Sequence, residues 1–159
     1  MPHAIEVSDL RFSYGDLEVF RGLSLRIERG AVVAILGASG SGKSTLLKLI
    51  GGQLRPAKGQ VLVAGTDVHQ LNATDLYRLR LEMGMMFQSS GLFTDLSVYD
   101  NVAFPIRENF KPPEEIVRRM VLMKLNAVGL RGTRDMMPND LSGGLTRRIA
   151  LARAVATDP

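Results

Sequence analysis

Apolar and polar residues alternate at Ile5-Glu6-Val7, at Leu10-Arg11-Phe12 and, most cleanly, at Leu23-Ser24-Leu25-Arg26-Ile27, the period-two pattern of half-buried strands. Tyr14-Gly15-Asp16 and Glu28-Arg29-Gly30 punctuate them as turns. The pattern then changes. Ala31-Val32-Val33-Ala34-Ile35-Leu36 is apolar at every position, which predicts a strand buried on both faces in a parallel sheet. It runs into a Gly/Ser loop and then into Thr45-Leu46-Leu47-Lys48-Leu49-Ile50, a helix closed by Gly51-Gly52. Residues 60–65 predict one more short strand.

Downstream the period lengthens. Asn72-Ala73-Thr74-Asp75 opens a segment with Leu76, Leu79 and Leu81 on one side and Arg78, Arg80 and Glu82 interleaved. Gly84-Met85-Met86-Phe87-Gln88 is a short apolar run, predicted as a strand ending at Gln88. Ser97-Val98-Tyr99-Asp100 has capping-box spacing, so a helix starts there. Pro112-Pro113-Glu114-Glu115 places proline and acids in a first turn, ahead of Val117, Val121, Leu125 and Val128 at helical spacing; that helix stops near Gly129. A last helix runs from Gly143 to about Ala156, with Ile149, Leu151, Ala152 and Val155 apolar and Arg147 and Arg148 exposed. Met83, Met85 and Met86 read as adaptable core filler or as binding surface, the former being the commoner use.

Composition narrows the class. The chain has 159 residues, 45% of them hydrophobic and 23% charged, as in globular domains. This length is compatible with one domain holding a real core. Its longest apolar run, residues 31–36, falls far short of the roughly 18 residues a membrane helix needs. The N-terminal residues carry acids and no apolar core segment, so no secretory leader is expected. There is no cysteine, hence no disulfide framework and no thiolate metal site. The net charge of +4 permits an anionic partner but is a weak argument for nucleic acid.

Gly37-Ala38-Ser39-Gly40-Ser41-Gly42-Lys43-Ser44 fits G-x-x-x-x-G-K-[ST] at every specified position. Glycines let a backbone wrap a phosphate and aim N–H groups at it, and the dipole of the helix starting there favours negative charge. Lys43 would reach the β- and γ-phosphates, and the Ser44 hydroxyl would hold Mg²⁺. The bland alternative, a flexible turn with an incidental lysine, does not account for the strand before it and the helix after it. A second signal is Leu141-Ser142-Gly143-Gly144, followed by Leu145. Alone it reads equally as a helix start capped by Ser142 or as an anion site made of a hydroxyl and bare N–H groups. Two anion sites so far apart in sequence fit the clamping of one triphosphate from two sides.

Phosphate loop, Gln88 closing a strand, then Leu-Ser-Gly-Gly opening a helix is the order of the ATP-binding cassette (ABC) ATPases, which the chain resembles throughout its length. The resemblance implies an α/β P-loop fold with an N-terminal antiparallel β arm and a helical subdomain. It divides the chain into a nucleotide-binding core with arm at 1–92, a helical subdomain at 93–142 and a signature helix returning to the core at 143–159. It makes Tyr14 the aromatic that stacks on adenine, a lone surface tyrosine being the alternative. Gly37, Ala38, Ser39, Gly40, Ser41, Gly42, Lys43, Ser44 and Thr45 become the nucleotide-contacting set. Gln88 touches Mg²⁺ and the attacking water and reports nucleotide state to a membrane subunit. Lys43 and Gln88 are thus the catalytic candidates, and Ser44 and Gln88 the Mg²⁺ contacts. Ser142, Gly143, Gly144 and Leu145 match the signature that binds the γ-phosphate held by the opposite subunit. Residues 85–95, 100–105 and 123–132, with Leu145 where most cassettes carry glutamine, are most similar to the ATPase of Mla-type (maintenance of lipid asymmetry) phospholipid transporters.

The implied protein binds ATP and Mg²⁺ and hydrolyses ATP as a head-to-tail homodimer. It sits on the cytoplasmic face of the inner membrane against an integral permease, meets a substrate-binding subunit indirectly, and uses no nucleic acid. Other readings are a non-transport cassette acting on nucleic acid or ribosomes, and a nucleotide-binding module without hydrolysis. The family's strand ending in Asp-Glu (Walker B) and its switch histidine have no match in these 159 residues. Neither His3 nor His69 occupies the switch position, and both read as surface residues. The expectation is a fragment cut before that strand, inactive alone, with core apolar surface exposed and a tendency to aggregate.

Overall fold

The computed structural model describes residues 3–159. The chain divides into two compact units, one up to Arg78 and one from Leu79. The first is built on a four-stranded antiparallel sheet in the order β2-β1-β3-β4, from β1 (Ile5–Tyr14), β2 (Leu17–Ile27), β3 (Lys58–Val63) and β4 (Thr66–Asp67). The two alternating segments expected at 5–7 and 10–12 are one strand. They are separated by a register irregularity between Val7 and Leu10, where Asp9 adopts φ 43° and its N–H donates to Ser24 Oγ at 2.9 Å. Val7, Leu10 and Phe12 of β1 and Val61 and Val63 of β3 are buried. Helix α1 (Lys43–Ile50) packs against β3 and buries Leu46, Leu49 and Ile50. The helix expected after Asn72 is α2 (Ala73–Leu81), started by Asn72 Oδ1 accepting from the Asp75 N–H at 2.9 Å.

Two expected strands are not strands. Residues 31–36 form no ladder, and Val32 and Leu36 are almost wholly exposed. A strand of a parallel sheet exists only through hydrogen bonds to its neighbours, and every ladder among the described residues is antiparallel and lies elsewhere. Residues 84–87 are likewise irregular, and Gln88 lies in a turn. The run predicted to be buried on both faces is instead exposed, with no ladder partner among the described residues.

The second unit is helical: α3 (Val98–Phe110), α4 (Glu114–Ala127) and α5 (Gly143–Ala154), with single 3-10 turns at Arg131–Thr133 and Pro138–Asp140. All three helices share one core of Val98, Val102, Ile106, Val117, Val121, Leu125, Ile149, Ala152 and Ala156. The capping box forms as its spacing predicts: Ser97 Oγ accepts from the Asp100 N–H at 3.0 Å and donates to Asp100 Oδ2 at 2.7 Å. Arg107 then bridges Asp100, at 2.8 Å, to Glu114 at the start of α4, and both carboxyls are held below their ordinary pKa, Asp100 by Ser97 and then Arg107, Glu114 by Arg107.

The centre of this unit is Asn101, fully buried. Its Oδ1 accepts from the Phe93 N–H at 2.8 Å, and its Nδ2 donates to the carbonyls of Phe93, Leu96 and Ser97 at 2.9–3.1 Å. One side chain therefore satisfies the irregular backbone of residues 93–97. Asn101→Ala strands those groups in the interior, so it lowers the unfolding free energy by about 3 kcal/mol or more. Ser97→Ala, which removes only an accessible cap, costs about 1 kcal/mol. Urea unfolding of the two variants checks the ordering.

Candidate functional site

Residues 37–44 close on themselves around the lysine. Lys43 Nζ donates to the Gly37 carbonyl at 2.9 Å, to the Ala38 carbonyl at 2.6 Å and to Ser41 Oγ at 3.2 Å, using all three ammonium hydrogens. Ser41 N donates to the Ala38 carbonyl at 3.2 Å. The positive charge is thereby held at the loop by exposed, replaceable oxygens. Gly42, which precedes α1, has φ +92°, and a Cβ there would lie 2.7 Å from Val19 Cγ1 and 2.9 Å from Phe20 Cζ on β2. The loop can turn into the helix only with glycine at this point. Ser44 is exposed at the helix start, while Thr45 behind it is buried.

The N-terminus of α1 has no side-chain cap and no acid in its first turn. The same holds for α5, whose N-cap Ser142 makes no capping bond although it sits where a cap would. Its carbonyl accepts from the N–H groups of Leu145 and Thr146 at 3.0 Å, and Ser142, Gly143 and Gly144 are exposed. By contrast α2, α3 and α4 carry Asp75, Asp100, and Glu114 with Glu115 in their first turns. An acid there contributes about 0.3–1 kcal/mol, a stabilisation that α1 and α5 lack. Leu145 is half-buried and packs against the helical core.

The remaining expected residues fall as follows. Tyr14 ends β1 and is half exposed, its ring meeting Phe12 edge to face at 4.9 Å. Gln88 is exposed in its turn rather than closing a strand, for the reason given above. His3 and His69 are half-buried rather than surface residues; burial holds His69 below its ordinary pKa. Among the described residues no group of three His, Cys, Asp or Glu side chains could hold a metal ion. A cation at Ser44 would therefore need oxygens from a bound phosphate, which is the donor set a hard ion such as Mg²⁺ prefers.

The second unit also holds an open groove of about 460 Å³, lined by Met83, Met85, Phe87, Phe93, Phe104, Pro105 and Arg153 among others. Met86 beside it is half exposed, so the methionines serve a surface as well as packing. Arg153 was missed by the reading of residue types. Its Nη2 donates to the Ser90 carbonyl at 3.2 Å and its guanidinium lies 5.5 Å over the Phe93 ring; burial pulls its pKa down. The available signal was its spacing, four residues after Ile149, which puts a cation toward the buried side of α5.

Comparison with known proteins adds the following. A family profile described as ABC transporter matches residues 20–159. The chain is 56% identical over 155 residues to the intermembrane phospholipid transport system ATP-binding protein MlaF of Haemophilus influenzae, covering 98% of this chain and 59% of that protein. Identity to MlaF of Escherichia coli K12 is 47%, covering 98% and 58%. The probable ribonucleotide transport ATP-binding protein mkl of Mycobacterium leprae is 43% identical, covering 98% and 45%. Among solved structures, cbiO1 of Clostridium perfringens, part of the ABC transporter complex cbiONQ, superposes with a TM-score of 0.89 at 32% identity, covering 100% of this chain and 63% of that one. A dimeric ATP-binding cassette in a post-hydrolysis state bound to ADP and Pi gives 0.86 at 30% identity, covering 98% and 70%. The chain thus spans 58–59% of the length of these MlaF relatives.

The two glycines at positive φ before Lys43 separate two causes of failure. Gly42→Ala meets β2 and abolishes nucleoside triphosphate binding. Gly40→Ala has open space and φ +81°, so it carries only backbone strain and weakens binding about tenfold. Titration of both variants with a fluorescent triphosphate distinguishes them.

Proposed function

The chain belongs to the ABC transporter family, and we propose that it is the nucleotide-handling part of an ATPase that energises phospholipid transport between membranes. The observation that carries the reading is the glycine loop closed around Lys43 at the uncapped start of α1. A triphosphate would replace the Gly37 and Ala38 carbonyls as partner of the ammonium and take up the first-turn N–H groups of α1. Ser44 would hold Mg²⁺, which when bound draws charge from the β- and γ-phosphates. Tyr14, at the exposed end of β1, is assigned the adenine face.

In the same reading residues 1–92 form the nucleotide-binding core with its arm, 93–142 the helical subdomain and 143–159 the signature helix. Ser142, Gly143, Gly144 and Leu145 approach the γ-phosphate held by a second copy in a head-to-tail dimer. The bare N-terminus of α5 supports that role, because an anion supplied from outside completes it. Gln88 addresses the metal and the attacking water. The groove beside it is where a membrane permease docks; its aromatic and methionine lining suits an apolar helix. No helix among the described residues is long and apolar enough to cross a membrane, which fits a subunit held to the cytoplasmic face by that contact. The phospholipid assignment comes from the likeness to the MlaF proteins.

Lys43→Ala in the full-length protein tests the reading. ATP turnover falls about a hundredfold or more, because the transition-state charge loses its ammonium, while the circular dichroism spectrum is unchanged. Undiminished ATP binding and hydrolysis would overturn the assignment.

A further inference from the structure

The turn that carries Gln88 is conformationally unusual. Ser90 and Gly91 both lie in the left-handed region, at φ 60° and 58°, and a non-glycine residue there persists only where its surroundings enforce it. The internal bonds of the turn are Ser90 N–H to the Phe87 carbonyl at 3.1 Å and Gly91 N–H to the Ser89 carbonyl at 2.7 Å. What reaches it from another element is Arg153 of α5, whose Nη2 donates to the Ser90 carbonyl at 3.2 Å and whose Nη1 lies 3.5 Å from Asn101 Oδ1. A Cβ on Gly91 would sit 3.2 Å from Phe87 Cδ2 and 3.5 Å from Arg153 Nη2. The guanidinium is therefore packed against the inner side of the turn, with the Phe93 ring beneath it.

We infer that Arg153 is the positioning residue of the Gln88 turn, tying its geometry to the helix that opens with Ser142-Gly143-Gly144. The inference rests on the reading of Gln88 as the residue that addresses metal and water. A guanidinium suits the task. Its face stacks on an aromatic ring while its edge donors bond in plane, so ring, carbonyl and amide are fixed relative to one another by one rigid group. The link also lies in the wall of the groove, so a side chain seated there presses directly on the group that holds the turn.

The test uses the full-length protein. Arg153→Ala lowers kcat for ATP hydrolysis at least about tenfold with KM for ATP nearly unchanged, because a displaced Gln88 harms the reacting geometry and not the phosphate loop. Amide exchange rises at residues 88–93 and stays unchanged in α3 and α4. Arg153→Lys, which keeps one donor and loses the planar fork, gives an intermediate kcat. The double variant Arg153→Ala with Gln88→Ala is no slower than Gln88→Ala alone, since both act through one group. Additive losses, an unchanged kcat in Arg153→Ala, or exchange rising across the whole helical unit would each overturn the inference. Gln88→Ala with normal turnover would instead defeat the reading of Gln88 itself.

Discussion

Backbone groups that do not join a helix or a ladder still have to be bonded, and in this chain a few side chains meet that requirement at the segments that matter. Lys43 holds the Gly37 and Ala38 carbonyls. Asn101 holds Phe93, Leu96 and Ser97. The two differ in how easily they can be exchanged. Asn101 is sealed from solvent, so water does not compete for its bonds to the loop before α3. The Lys43 bonds are exposed, so water or another acceptor can replace each protein oxygen there at little net cost. Rigidity at one place and replaceability at the other follow from burial alone.

The distribution of acids across the helices points the same way. Acids at the starts of α2, α3 and α4 complete their dipoles internally, and in α3 the carboxylate is further tied to Arg107 and through it to α4. Helices α1 and α5 forgo that stabilisation. In Ser142 the omission is especially informative, because a residue able to cap is present and its hydroxyl stays free.

The helical half and both glycine-bearing loops were legible in the residues because their determinants are local. A serine three residues before an aspartate, valines at 117 and 121 with Leu125, and a lysine after two well-spaced glycines each act within one turn of chain. The antiparallel arm was legible too, apart from the irregularity at Asp9, which needs Ser24 from the neighbouring strand. Residues 31–36 and 84–88 were misread because an apolar run names only a burial requirement. Whether it becomes a strand depends on ladder partners, and none bond to it among the described residues. The family likeness to cassette ATPases was readable from the order of three short motifs.

Arg153 shows a different limit. Its partner is a carbonyl 63 positions away, and a carbonyl leaves no trace in residue type, so no pattern of side chains announces the contact. What the composition of α5 does show is an inconsistency. A helix that buries Ile149, Ala150 and Ala152 has also placed an arginine four residues after the first of these, and burying a cation is costly unless something within reach repays it. Here no carboxylate among the described residues does so, and burial lowers its pKa. The compensation comes from an aromatic face and neutral oxygens, which stabilise the charge without cancelling it.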